Sequence, residues 1–155
     1  MGWPLSFPSS IPLSRSKPYL PCRLCPSLLS LPYLGVIAVD DEIYRATRAF
    51  ILSKENRNYF SGVLGSGIGS PHTGVNSIWP ISLIIQASTS TIDEEILSCL
   101  RILIKSSAGT GLLHESFSVD NANDYSRPWF ARCNSLFAGL IVHLIQNRPE
   151  LLNRI

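Results

Sequence analysis

The sequence predicts an all-α fold, and three observations support that prediction. Apolar residues recur at helical spacing in several segments after residue 40, and no alternating run of strand length accompanies them. The chain has 155 residues, 45% of them apolar, which is the size of one domain with a substantial core. Only 15% of the residues are charged, a composition that suits a domain whose faces meet more protein.

The first 25 residues differ from the rest and are predicted to form a disordered tail. No acidic residue precedes Asp40. Proline recurs every few residues, and proline is incompatible with a helix interior or a central strand. The prolines of this segment are Pro4, Pro8, Pro12, Pro18 and Pro21. The folded domain is therefore expected at 26–155.

Five helices are predicted within that domain. They are expected at about 42–53, 79–88, 91–106, 128–146 and 149–152. Asp40 and Asp41 are good N-cap residues for the first helix. Pro80 is tolerated in the first turn of the second, and the run from Thr91 to Glu94 resembles a capping box that opens the third. The loops between the helices are expected to lie on one face.

Charge and hydropathy argue against two classes of partner. The net charge is only +2 and no stripe of lysine or arginine is present, so nucleic acid is not expected. The longest apolar stretches, near 78–87 and 136–145, are too short to span a membrane. The loop 56–76 is long, polar and rich in glycine, and such a loop is usually functional or disordered. Its glycines at 65–69 lack the spacing and the preceding strand of a phosphate-binding loop, and no cofactor is expected.

The four cysteines do not predict a metal site. Cys22 and Cys25 form a CxxC pair, but no second pair of cysteines or histidines stands at ligand spacing. A zinc or thiol site at this pair is kept only as a third alternative. Cys99 and Cys133 lie inside apolar helical patterns and are expected to be buried thiols.

The segment 109–117 holds the strongest candidate for chemistry. It places Glu115 between His114 and Ser116, ahead of an Arg-Pro-Trp run that begins at Arg127. A carboxylate among aromatic and small residues in a loop is typical of a sugar-cleaving site. Glu115 also fits a solvated loop residue or a helix-cap partner, so the residues alone leave three interpretations open. Arg127 fits a sugar ligand, a surface ion pair, or a partner that keeps Glu115 ionised as a general base requires.

Further candidates for sugar binding stand just before the second predicted helix. Trp79 can stack on the C–H face of a sugar, and His72 can bind its hydroxyl groups. Trp79 fits equally well a residue that anchors the start of the helix in the core. A glycosidase also needs a second carboxyl group, and no other acid is a convincing proton donor. Asp120 and Asp124 are close enough in sequence to orient the loop of Glu115.

Several of these segments together resemble a known family. The segments are 26–35, 50–53, 67–74, 78–85, 111–117, 127–131 and 134–137. In order and with nearly ungapped spacing, they resemble the metal-independent α-mannosidases of glycoside hydrolase family 125, and the resemblance covers about 26–152.

The resemblance implies both a fold and an activity. The fold is an (α/α)6 barrel, of which this chain would form a partial toroid, with the site in loops at one end. The activity is exo-hydrolysis of α-1,6-linked mannose in glycans, with inversion and without a metal. Glu115 is then the general base, and an inverting enzyme holds its two carboxyl groups roughly 6.5–9.5 Å apart. His72, His114, Arg127 and Trp129 would line the sugar subsite.

Three departures from the family limit what this chain is expected to do. The family domain is much longer, and this chain resembles its C-terminal third. The general acid, an aspartate, lies upstream of the matched region, and the residues just before Pro26 do not follow the family's pattern. Arg132 and Cys133 replace what is usually Trp-Ala.

Two hypotheses follow. The first is a mannosidase fragment that is inactive alone because its acid is missing, and that self-associates through exposed apolar faces. The alternative is a non-catalytic helical carbohydrate-binding or interaction remnant. The sequence predicts no compartment.

Overall fold

The computed structural model of the protein describes residues 28–155. The predicted disordered tail and the Cys22–Cys25 pair lie outside the described residues. Within the described range the chain forms five helices and five short strands. The helices are α1 (Glu42–Ile51), α2 (Pro80–Ser88), α3 (Asp93–Ser106), α4 (Ala131–Asn147) and α5 (Pro149–Leu152). The strands are β1 (Tyr59–Ser61), β2 (Ser66–Ile68), β3 (Ser77–Ile78), β4 (Ser116–Ser118) and β5 (Tyr125–Ser126).

The strands correct the all-α prediction. β1 and β2 form a two-stranded antiparallel sheet, and β3, β4 and β5 form a three-stranded antiparallel sheet in that order. No strand is longer than three residues, so none leaves an alternating pattern that the sequence could reveal. β1 and β2 occupy part of the predicted loop 56–76. The fold is therefore helical with two small sheets, and the partial (α/α)6 toroid stays a prediction.

The five predicted helices are confirmed, with ends that differ by a few residues. Asp41 is the N-cap of α1, and its Oδ1 accepts a hydrogen bond from the main-chain N of Tyr44 at 2.9 Å. The predicted capping box of α3 was wrong, because the N-cap is Ile92 and no side chain caps it. Ser90 Oγ instead accepts from the N of Ile92 at 3.1 Å, just outside the helix.

The core is built around α2, which packs against both α3 and α4. Seven of its nine residues are buried, so α2 is surrounded by protein where a surface helix would bury only one stripe. Cys99 on α3 and Cys133 on α4 are buried in this core, as predicted. Burial raises the pKa of each thiol to about 12, so little of either thiol is ionised at neutral pH.

The outer helices bury little of their apolar surface. Tyr44 is the buried residue of α1, and its hydroxyl donates to the carbonyl of Leu29 at 3.0 Å. Ile43 and Phe50 on the same helix are exposed, as are Val142 and Ile145 on α4. Among residues 28–155, no helix combines the length and the apolar character that crossing a membrane requires.

Candidate functional site

The three-stranded sheet brings three of the predicted site residues to one edge. β3 pairs with β4 so that Ile78 lies opposite Phe117, and Phe117 lies opposite Tyr125 of β5. Because neighbouring strands are antiparallel, the residue after β3, the residue before β4 and the residue after β5 all leave the sheet at the same end. These residues are Trp79, Glu115 and Arg127.

Glu115 is fixed by its main chain and by its side chain. Its N donates to the carbonyl of Ser126 at 3.1 Å, which extends the pairing of β4 with β5. Its Oε2 accepts from Ser126 Oγ at 3.2 Å and lies 3.3 Å from Nε of Arg127. Ser126 Oγ donates a hydrogen bond to this oxygen and Arg127 pairs with it by charge, and within the described residues Oε1 makes no hydrogen bond. One carboxylate oxygen is thus held in place while the other remains available to accept a proton.

The ion pair of Glu115 with Arg127 is unequal in exposure. The side chain of Glu115 is 19% exposed, whereas that of Arg127 is 66% exposed and lies 5.9 Å from the ring centre of Phe130. An ion pair with one exposed partner contributes only about 0–1 kcal/mol, because water screens it and the long side chain loses freedom. The pairing of Arg127 with Glu115 that the sequence left open is confirmed, but its own energy does not fix the geometry.

The backbone of Arg127 is strained. Its φ is +48°, a value that side chains with a Cβ seldom adopt. The proline that follows at 128 narrows the choice further, because a residue before proline is restricted. Such a conformation costs about 1–3 kcal/mol. The turn therefore persists only because other contacts hold it.

His114 lies beneath this turn. It is 1% exposed, and its ring stacks on that of Tyr125 with 3.7 Å between centres and 7° between planes. Its Nδ1 donates to the carbonyl of Pro128 at 2.8 Å. A buried hydrogen bond is worth about 1 kcal/mol and an aromatic pair about 0.5–1.5 kcal/mol. Together these two free energies are similar to the free-energy cost of the strained turn.

The remaining predicted site residues differ in their exposure and in their partners. Trp79 is partly buried, and its Nε1 donates to Thr73 Oγ1 at 2.9 Å, which ties the loop before β3 to the start of α2. His72 is exposed in that loop, with its main-chain N bonded to Ser70 Oγ at 3.3 Å. Trp129 is 66% exposed. Within residues 28–155, an ion pair joins Glu115 to Arg127, whereas no hydrogen bond or ion pair joins Glu115 to His72 or Trp129.

A metal centre finds no ligand set in the described part of the chain. Across residues 28–155, no three side chains of histidine, cysteine, aspartate or glutamate converge as metal ligands would. The carboxylates of α3 are engaged in ion pairs instead. Asp93 lies 2.7 Å from Arg148, and Glu94 pairs with Arg154.

Sequence reasoning missed a second polar cluster, which we call the Arg48 cluster: Arg48, Gln86, Ser90 and Glu95. Nη2 of Arg48 lies 3.0 Å from both carboxylate oxygens of Glu95 and 3.2 Å from the carbonyl of Gln86. Gln86 Nε2 and Ser90 Oγ also donate to Glu95. Burial alone would raise the pKa of Glu95, but the hydrogen bonds from Ser90 and Gln86 and the charge of Arg48 outweigh it and lower the pKa.

The Arg48 cluster borders a cavity of about 350 Å³ between the start of α1 and the segment 89–92. In the sequence, Glu95 is the last of three consecutive acidic residues at the start of α3, where negative charge is favourable. Nothing in the spacing of Arg48 and Glu95, which are 47 residues apart, signals their contact. The cluster ties α1 to α2 and α3, and it lies outside the edge that carries Glu115.

A loop carboxylate with one engaged oxygen and one free oxygen has the form of one of the two carboxyl groups of a glycoside hydrolase site. The comparisons with known proteins agree with that class. The sequence profile described as metal-independent α-mannosidase (GH125) matches residues 24–142. The chain belongs to this family.

Two relatives define the similarity further. The chain is 52% identical over 130 residues to the Meiotically up-regulated gene 157 protein of Schizosaccharomyces pombe, an alignment that covers 83% of this chain and 26% of that protein. The structure of this chain is similar to that of a metal-independent α-mannosidase from Streptococcus pneumoniae, which was solved in a non-productive complex with α-1,6-mannobiose. The TM-score is 0.75 and the identity 45%, over 78% of this chain and 28% of the other. The chain thus spans about a quarter of the length of these relatives.

Proposed function

We propose that this chain carries the general base and part of the sugar-binding loops of an inverting, metal-independent exo-α-1,6-mannosidase, with Glu115 as the base. The observation that carries the proposal is the environment of Glu115 within a GH125 chain. Its Oε2 is engaged by Ser126 and Arg127, and Oε1 stays available. A general base needs an oxygen that can reach the proton that it removes, and Oε1 is free to do so.

In this mechanism Oε1 of Glu115 takes a proton from a water molecule. The water oxygen forms a bond to the anomeric carbon of the terminal mannose, and the bond from that carbon to the glycosidic oxygen breaks on the opposite face. The departing oxygen needs a proton from a general acid, which in inverting enzymes stands roughly 6.5–9.5 Å from the base. Trp79, Trp129, His72 and Arg127 are the proposed contacts to the sugar. His114, which the family resemblance also placed in the sugar subsite, is 1% exposed and is not included among them.

We further propose that the described residues do not supply that acid. Asp120 lies two residues beyond the end of β4, and Glu115 lies just before the opposite end of that strand. Asp120 also accepts a hydrogen bond from the N of Val63 at 3.0 Å. Asp124 lies opposite Ser118, whose N donates to its carbonyl at 2.8 Å, at the far end of the strands. Since protonation of the leaving group is worth roughly 10²–10⁴ in rate, we expect this chain alone not to cleave mannobiose.

A pair of substrates separates the two parts of this proposal. α-1,6-Mannobiose needs a proton on its leaving oxygen, whereas α-mannosyl fluoride leaves as fluoride and does not. We expect no release of mannose from mannobiose and slow release of mannose from the fluoride. Glu115→Gln should abolish this slow release. Normal turnover of mannobiose would contradict the missing acid. Turnover of the fluoride that survives Glu115→Gln would contradict the role of Glu115.

The alternative function is a non-catalytic carbohydrate-binding remnant, and the exposure of Trp129 favours keeping it. A tryptophan side chain that is 66% exposed offers a flat apolar surface to the C–H face of a sugar. Titration calorimetry with mannose separates the two functions. Binding that is lost in Trp129→Ala, without turnover of either substrate, would favour the binding remnant over the hydrolase.

Self-association is proposed as a property of the chain by itself. Ile43 and Phe50 on α1, and Val142 and Ile145 on α4, are exposed apolar side chains on helices that bury little. Large exposed apolar surfaces usually mark interfaces. Sedimentation velocity over a range of concentrations tests this, and a monomer at every concentration would contradict it.

A further inference from the structure

The turn that presents Arg127 to Glu115 is not explained by the ion pair that it makes. Arg127 is mostly exposed, has a φ of +48° and precedes Pro128. A screened ion pair is weaker than the strain of such a backbone. Ser126 fixes one side of the turn, because its carbonyl accepts from the N of Glu115 at 3.1 Å. The other side begins at Pro128, whose nitrogen carries no hydrogen and cannot donate.

The carbonyl of Pro128 accepts its hydrogen bond from Nδ1 of His114, at 2.8 Å. A carbonyl oxygen can only accept, so the proton of the imidazole ring must be on Nδ1. Nε2 is buried and has no hydrogen-bond partner within residues 28–155. The hydrogen bond to Pro128 is therefore the polar contact by which this ring acts on its surroundings.

The ring that donates this bond is itself immobilised. It stacks on Tyr125 at 3.7 Å, and Tyr125 pairs with Phe117 in the sheet. His114 stands next to Glu115 in the chain, so one short segment holds both the carboxylate and the donor that shapes the turn opposite it. With 1% exposure, the imidazole presents almost no surface to a ligand.

We propose that His114 is a positioning residue, which holds the turn at Arg127 and Pro128 so that Nε of Arg127 reaches Oε2 of Glu115. It acts through Arg127 and need not touch the sugar, which differs from the sugar contact expected for it from the family resemblance. The consequence for catalysis rests on the proposed function of Glu115. The geometric part, a dependence of the Arg127–Glu115 pair on His114 Nδ1, does not.

NMR of the full chain tests the geometric part without any substrate. The Nε–H signal of Arg127, assigned by its loss in Arg127→Lys, reports the pair with Glu115 through its rate of exchange with water. His114→Phe keeps a ring to stack on Tyr125 but removes the donor. His114→Asn keeps an amide donor close to the position of Nδ1. We expect exchange to become about two- to fivefold faster in His114→Phe, as for the loss of a solvent-screened ion pair, and to stay near the original rate in His114→Asn.

Two controls keep the outcome interpretable. Tyr125→Phe retains the stacked ring and should leave the Arg127 signal unchanged, and circular dichroism confirms that each variant is folded. Unchanged exchange in folded His114→Phe, or fast exchange in folded His114→Asn, would overturn the proposal. If His114→Phe does not fold, long-range ¹H–¹⁵N spectra of the original chain decide, because a proton on Nε2 with none on Nδ1 overturns it. Failure of the hydrolysis assays would leave this result untouched, so the two proposals fail separately.

Discussion

Replacing Arg48 by methionine should destabilise the chain by about 2 kcal/mol. The side chains of Arg48 and Glu95 are each 20% exposed, so the pair stands between two limits. Exposed pairs contribute about 0–1 kcal/mol, and removing one partner of a fully buried pair costs about 3–5 kcal/mol. In Arg48→Met the carboxylate of Glu95 stays largely buried without its cation, but it keeps its hydrogen bonds from Ser90 and Gln86. The expected loss of stability therefore lies between these two limits.

Urea unfolding followed by circular dichroism measures this loss. With a slope of about 1–3 kcal/mol per molar urea, the midpoint should fall by about 1 M. Arg45→Met is the matched control, because Arg45 is an exposed arginine on the same helix and its replacement should change stability by less than about 0.5 kcal/mol. The double variant Arg48→Met with Glu95→Gln should be less destabilised than the sum of the two single variants, since the two side chains act together. A loss below about 0.5 kcal/mol in Arg48→Met, or strict additivity, would refute the reasoning.

The remaining predictions concern pH, packing and thiols. The pKa of Glu95 is lowered in the folded state below its ordinary value of 4.5. Its contribution to stability is therefore complete above that value and is lost as the pH falls through the folded pKa. Urea midpoints measured from neutral pH into acid should decline less in Glu95→Gln than in the original chain. Gly69→Ala should cost about 3 kcal/mol or more, because its Cβ would overlap the carbonyl oxygen of Ser77. A Cβ at Gly139 meets nothing within 4 Å, so Gly139→Ala should be neutral or stabilising by up to about 1 kcal/mol. Equal urea midpoints of the two variants would contradict this. The thiols of Cys99 and Cys133, with a pKa of about 12, should react with a disulfide reagent only as fast as the chain unfolds. The test uses a variant in which Cys22 and Cys25 are replaced by serine, and fast reaction without urea would contradict the prediction.

The helices could be predicted from the sequence because their signals are local. A cap such as Asp41, a proline in a first turn and apolar spacing all lie within one helix. The start of α4 shows the limit of this approach, since it was expected at 128 and is observed at Ala131. Phe130 is extended, and its N donates to the carbonyl of Leu113 at 3.2 Å. That contact with a distant residue delays the helix, and no pattern near 130 reveals it.

The strands and the arrangement of the site could not be predicted for the same reason. β3 and β4 consist of two and three residues that pair across some 40 positions of sequence, as Ser77 does with Ser118. The sequence identified Glu115 and Arg127 as candidates but left their contact open among several alternatives. The register of β4 with β5 decides it, because Ser116 lies opposite Ser126 and the next residues outward are Glu115 and Arg127.

The surroundings of Glu115 are assembled from neighbours in sequence. The partners of Glu115 lie between His114 and Pro128, in one antiparallel hairpin that closes through β4 and β5. Such local contacts form at small cost in chain entropy, so the hairpin needs little of the rest of a family domain to hold its carboxylate in place. A proton donor on the far side of a sugar has no such local route, because the strands of the hairpin run away from the edge that carries Glu115. We therefore expect the proposed base and its acid to differ in what positions them. The hairpin itself positions Glu115, whereas a proton donor must come from segments outside the hairpin that approach the same edge.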